Sequence, residues 1–138
     1  MSRLFLDTNV LLRYITGDPA KQAERTYQFL SRMTQERTDQ LVLSDTVIME
    51  TVFTLRSFYG LDTDAIEERV TPFFGFTEII SPSNALDWFA VFRIEQSMGV
   101  DFIDALNYLM MRQEEIETIV SFDTDFDKFD DITRQEPS

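Results

Sequence analysis

The chain has 138 residues, 25 acidic against 12 basic side chains for a formal net charge of −13, and neither cysteine nor histidine. Its length suits one domain that buries its own core, expected over 1–138 with about 132–138 as a frayed tail. The missing residues exclude disulfides, thiolate or imidazole metal sites, and Ser-His-Asp or Cys-His catalysis, so any hydrolytic chemistry must run on carboxylates and a hard metal ion. The acidity repels nucleic acid at long range, and a nucleic-acid function therefore calls for bound divalent cations, a local basic face or a basic partner. No basic-then-apolar leader pattern opens the chain and no apolar run is long enough to span a bilayer, which predicts a soluble, cytoplasmic protein without membrane association.

Leu4 to Leu6 is a short apolar run that ends at Asp7-Thr8-Asn9, an acid followed by two good helix starters. This predicts a buried strand handing over to a helix of about two turns, closed by Gly17. Asp18-Pro19 predicts the next helix, Pro19 to Gln35, with Asp18 as its cap. Ala23, Tyr27, Leu30 and Met33 or Thr34 form its expected buried stripe. Lys21, Arg25, Gln28 and Arg32 form a polar one, by default a solvated face and alternatively an RNA-backbone contact. Leu41 to Leu43 is the second strand, with Ser44 or Asp45 capping a helix from Thr46 to Phe58 that carries Glu50 in its first turns. An amphipathic helix from Ala65 to Phe74 follows Gly60.

Phe76 to Ile80 reads as the third strand. Ser83 or Asn84 is expected to cap a helix rich in aromatic residues between Leu86 and Ile94, either packed on two sides or offering a partner surface. In the helix from Asp101 to Arg112, Phe102, Ala105, Leu106, Leu109 and Met110 repeat as a buried stripe. Asp101, Asp104 and Asn107 make a polar line. Thr118 to Phe122 is the fourth strand, followed at once by Asp123, Asp125 and Asp127, and one short edge strand is expected near Ile132. The alternation of strands and helices predicts an α/β fold, a three-layer sandwich with a small parallel sheet flanked by helices.

Parallel strands bring their carboxyl ends to one edge, so Asp7, Glu50 and the Asp123 stretch, joined by Asp104, can converge although they are far apart in sequence. Two carboxylates about 6 Å apart repel by roughly 3 kcal/mol at an effective dielectric near 20, a cost that a divalent cation removes. Oxygen-only ligands favour Mg2+ or Mn2+. The alternating acids from Asp123 to Asp127 suggest a calcium loop, but Lys128 stands where its glycine belongs and Arg134 where its bidentate glutamate belongs.

The motifs Leu6-Asp7-Thr8-Asn9, Glu50 after the second strand, Asp104-Ala105-Leu106, and Ser121-Phe122-Asp123-Thr124-Asp125-Phe126 together resemble the PIN domain, and in particular its VapC-type toxins. The resemblance spans essentially the whole chain. It implies that Asp7, Glu50, Asp104 and Asp123 are the catalytic acids and the ligands of Mg2+ or Mn2+, with Asn9, Ser121 and Asp125 in support; whether Asp123 or Asp125 is the fourth acid stays open. It further implies a metal-dependent endoribonuclease acting on RNA, a cognate antitoxin partner and a homodimer. The alternative is a catalytically degenerate PIN-fold binding module in an RNA-processing or regulatory complex.

Overall fold

Side chains as apolar as those of Leu4–Leu6, Leu41–Leu43 and Ile119–Val120 can be hidden on both faces only in the middle of a covered sheet, and all of them are buried there. The computed structural model describes residues 2–138. Strands β1 (Arg3–Leu6), β2 (Gln40–Ser44), β3 (Thr77–Ile80), β4 (Thr118–Val120) and β5 (Thr133–Gln135) form one wholly parallel sheet in the order β3-β2-β1-β4-β5. It is flanked by α1 (Thr8–Thr16), α2 (Ala20–Glu36), α3 (Asp45–Ser57), α4 (Thr63–Val70), α5 (Trp88–Met98) and α6 (Phe102–Gln113). This is the expected α/β architecture. Phe5, Leu11, Phe29, Phe73, Met110, Met111, Ile119 and Phe126 fill the core, while Leu55, Ile66 and Val70 make a smaller cluster between α3 and α4.

The chain order dictates where a site can form. From β1 the chain moves outward to β2 and β3, then returns through α5 and α6 to place β4 on the other side of β1. The order reverses between β1 and β4, and crevices in parallel sheets open at the carboxyl ends of the strands at such a reversal. Register places Leu6 opposite Val120, and the Asp7 amide donates to the Val120 carbonyl at 3.0 Å. The residues that follow, Asp7 and Ser121 to Asp123, therefore start side by side.

Several local expectations are corrected. Helix α2 is capped at Pro19, which offers no side-chain acceptor, so Asp18 does not serve as its cap. Its buried side chains are Ala23, Thr26, Phe29, Leu30 and Met33; Phe29 turns inward and Tyr27 is exposed, which rotates the apolar stripe. Arg25 and Arg32 are not free solvated charges: Arg25 pairs with Glu136 at 3.1 Å and Arg32 reaches the Ser138 carbonyl. The helix expected to reach Phe74 stops at Val70 and tightens into a 3-10 turn over Thr71–Gly75 at Pro72, whose missing N–H and ring disfavour an α-helical interior. Helix α5 begins at Trp88, capped by Asp87 accepting from the Ala90 amide, rather than at Ser83 or Asn84.

The carboxyl end is held rather than frayed. β5 pairs in parallel with β4, Ser121 donates its amide to the Gln135 carbonyl, and Arg134 binds Asp127, Glu136 and the Ser121 carbonyl. No helix among the described residues is long and apolar enough to cross a membrane.

Candidate metal centre

Asp7 has two jobs because of where β1 ends. Its extended backbone and its side chain cap α1, with Oδ1 accepting the Thr8 amide at 2.8 Å. Its Oδ2 accepts from Ser121 Oγ at 2.6 Å and from Asn9 Nδ2 at 3.1 Å. Ser121 Oγ accepts in turn from Asn9 Nδ2 and from the Asp123 amide, and Asn9 Oδ1 accepts the Phe122 amide. Asn9 and Ser121 thus stitch the end of β1 to the end of β4 and fix how Asp7 is aimed.

Asp123 caps the 3-10 turn Thr124–Lys128 by accepting the Asp125 amide, and Phe126, wholly buried, anchors that turn to the core. Asp104 arrives from the other side. Asp101 caps α6 by accepting the Asp104 amide at 2.9 Å, which places Asp104 in the first turn with its side chain toward the sheet edge. Carboxylate oxygens of Asp7, Asp104 and Asp123 lie within 4.8 Å of one another. Glu50, on the second turn of α3, lies outside that tight group but lines the same open pocket, together with Asp101, Thr8, Asn9, Leu12, Arg13 and Thr54. Asp125 lies outside the group and pairs with Lys128 at 3.3 Å.

Asp7 and Asp104 are only 4% and 8% exposed, an expensive setting for like charges. Burial raises the Asp7 carboxyl to about 6, with Glu50 and Asp123 adding to the rise and bonds from Ser121 and the Thr8 amide opposing it. Burial, then the charges of Asp7, Asp101, Asp123 and Glu50, push Asp104 up to about 8. Asp104 accepts no hydrogen bond from the described side chains or amides that would offset this. At the spacing of the cluster each ionised pair costs about 3 kcal/mol at an effective dielectric near 20. None of the three acids forms an ion pair with a described lysine or arginine.

The donor set fits a hard divalent cation. It is all oxygen and carries at least three carboxylates, and Asp7 Oδ1 and both Asp104 oxygens retain lone pairs. Thr8, lining the same pocket, keeps a buried hydroxyl without a partner, a further polar atom to be satisfied when the site is filled.

Of the residues singled out in the sequence, Asp7, Asn9, Glu50, Asp104 and Asp123 line the pocket, Ser121 supports it from behind Asp7, and Asp125 is turned aside. Arg13, Thr54 and Asp101 were not anticipated there, although Arg13 falls one turn beyond Asn9 on α1 and so shares its face. Asn107, on the polar line with Asp104, is fully buried; its Oδ1 accepts from Thr46 Oγ1 at 2.8 Å and from Ser44 Oγ at 3.3 Å, tying α6 to the start of α3.

The fold and this edge define an α/β protein with a carboxylate cluster at the switch point of a parallel sheet. A model of the PIN domain family matches residues 4–132, and the chain belongs to that family. Among solved structures it resembles VapBC2 from Rickettsia felis, bound there to a DNA fragment from its promoter, with a TM-score of 0.75 and 16% identity over 97% of this chain and 98% of the other. It also resembles VapC20 of Mycobacterium tuberculosis, a sarcin-ricin loop cleaving toxin, with a TM-score of 0.68 and 19% identity over 90% and 92%. A toxin-antitoxin complex from Klebsiella pneumoniae aligns with a TM-score of 0.66 and 20% identity over 96% of each chain. No curated protein matches by sequence.

Proposed function

We propose that this protein is a Mg2+- or Mn2+-dependent endoribonuclease and the toxin of a toxin-antitoxin pair. The observation that carries the reading is the convergence of Asp7, Asp104 and Asp123 within 4.8 Å, with Glu50 lining the same pocket. Family membership and the likeness to VapC structures support it. Asp7, Asp104 and Asp123 would hold the ion, and Glu50 would contact it directly or through water. A bound divalent ion supplies charge to polarise a scissile phosphate, to acidify water and to stabilise the leaving oxygen.

The chain's own residues supply the frame. Ser121 and Asn9 hold Asp7 in one orientation, so its aim is set before substrate arrives. The Asp101 cap fixes Asp104, and Asp123 is held by the turn it caps. Glu50, less buried than Asp7 and Asp104, would orient the attacking water and accept its proton. No covalent intermediate on the protein is required.

The reading extends to a cognate antitoxin, supported by the neighbouring toxin-antitoxin complexes, and to action in the cytoplasm, in keeping with a cysteine-free chain. A homodimer is supported by the outward aromatic face of α5, where Trp88, Phe89 and Phe92 are 48%, 79% and 59% exposed. The test is cleavage of a panel of tRNA and mRNA substrates in Mn2+ by wild type, Asp7→Asn and Asp104→Asn. Wild type should cleave and both variants should be inactive. Cleavage that survives both substitutions overturns the assignment, and an inert wild type that still captures a protein partner supports the degenerate binding module.

A further inference from the structure

Arg13 is the only lysine or arginine among the described residues lining the acid pocket. It sits on α1 one turn beyond Asn9, and Asn9, Leu12 and Arg13 fall on one face at the spacing of helix neighbours. A cation in a pocket lined by five acids would ordinarily collapse onto one of them. Arg13 does not: it makes no ion pair with any described acid. Its Nε donates instead to Gln22 Oε1 of α2 at 2.7 Å, and that bond holds the guanidinium by its inner edge. The two Nη groups, four N–H donors in a planar fork, have no partner among the described residues.

The neighbourhood is polarised. Asp101 and Glu50 line the pocket from α6 and α3, whereas Arg13 faces it from α1. On α2, Arg25 lies 5.4 Å over the ring of Phe122, the residue between Ser121 and Asp123, although its charge is already shared with Glu136. Arg13 is therefore the cation left for an anion that enters from the α1–α2 side.

We propose that Arg13 is a substrate-binding residue: its guanidinium, steadied by Gln22, clamps a backbone phosphate of the RNA strand at the acid pocket. This rests on the ribonuclease reading of the same site. The fork geometry matches two phosphate oxygens, which a lysine ammonium cannot reproduce. It also answers how a chain of net charge −13 accepts a polyanion, because the neutralisation is placed where the strand must pass rather than spread over the surface.

The test measures binding of a fluorescein-labelled, mixed-sequence single-stranded RNA 20-mer in Ca2+ across a salt series, for wild type, Arg13→Ala, Arg13→Gln, Arg13→Lys and Gln22→Ala. Mn2+ affinity is titrated separately without RNA. Arg13→Ala should weaken RNA binding by about tenfold or more and lower the slope of log K against log salt by about 0.7, one single-strand phosphate contact. Arg13→Gln should repeat that loss and carries the test if the alanine variant does not fold. Arg13→Lys should keep the slope and recover part of the affinity, and Gln22→Ala should keep the slope with a smaller loss. Mn2+ affinity should be unchanged or tighter in all of them. Unchanged RNA affinity and slope in Arg13→Gln overturn the role of Arg13 alone, as does a parallel loss of Mn2+ affinity, which would mark a structural role. Wild type that fails to bind RNA overturns the ribonuclease reading and this inference with it.

Discussion

Replacing Asp104 by Asn should make the metal-free protein more stable at pH 8 and useless as a metal protein. The native carboxyl is raised from an ordinary value near 4 to about 8 by burial and by Asp7, Asp101, Asp123 and Glu50. A raised folded value means that the native state holds its proton where the unfolded chain has lost it. Stability is therefore fully present below about pH 4 and falls as pH rises through about 8. The loss amounts to at most about 5 kcal/mol at pH 8, and less where the neighbouring acids titrate together with Asp104. An uncharged amide of the same shape escapes that penalty. Urea unfolding in EDTA should give Asp104→Asn an advantage of a few kcal/mol at pH 8 that shrinks to nothing near pH 4. Adding Mn2+ should reverse the order at pH 8, because only wild type gains from the ion. A variant no more stable than wild type at pH 8 in EDTA, or one that Mn2+ stabilises as strongly as wild type, would refute the electrostatic reasoning.

Ser121→Ala removes the 2.6 Å bond to Asp7 and leaves the Asp123 amide and Asn9 Nδ2 without their shared acceptor. It should cost about 1–3 kcal/mol in denaturant unfolding and, since that bond holds the Asp7 value down, move the acid limb of Mn2+ binding to higher pH. Asn107→Ala should strand the hydroxyls of Ser44 and Thr46 and open a small void, costing about 2–4 kcal/mol by thermal or urea unfolding, with weaker Mn2+ binding as α6 loosens from α3. Arg134→Ala should destabilise by about 1–3 kcal/mol and raise hydrogen exchange in β5 and the Asp123–Lys128 turn, because its side chain joins Asp127, Glu136 and the Ser121 carbonyl.

What could be read from the residues depended on how local the cause was. Asp7 and the Asp123 stretch stand at the ends of short apolar runs, and parallel strand ends meet at one edge, so their convergence follows from strand placement and the switch point alone. Asp104 was legible because a helix start lies beside it. Strand-end placement favoured Asp123 over Asp125 without deciding between them; in the fold Asp123 joins the cluster, while the turn that follows carries Asp125 to Lys128. Helical periodicity placed α2 but misjudged its rotation: Tyr27 and Phe29 are both aromatic, and only the packed neighbours decide which of them is buried. Asn107 looked like one more polar residue on a polar line, and its buried bonds to Ser44 and Thr46 come from elements more than 60 residues away in the chain. The tail read as frayed from its polarity. Its hold comes from a parallel ladder and from Arg134, both non-local.

The central claim is that Asp7, Asp104 and Asp123 gather to hold one divalent ion. It is tested most directly by anomalous diffraction from crystals equilibrated with Mn2+. A peak within about 2.0–2.3 Å of oxygens from all three carboxylates, with Glu50 contacting it directly or through one water, is the predicted result. A Mn2+ ion bound elsewhere, or an empty cluster in crystals of protein that still cleaves RNA, would contradict it.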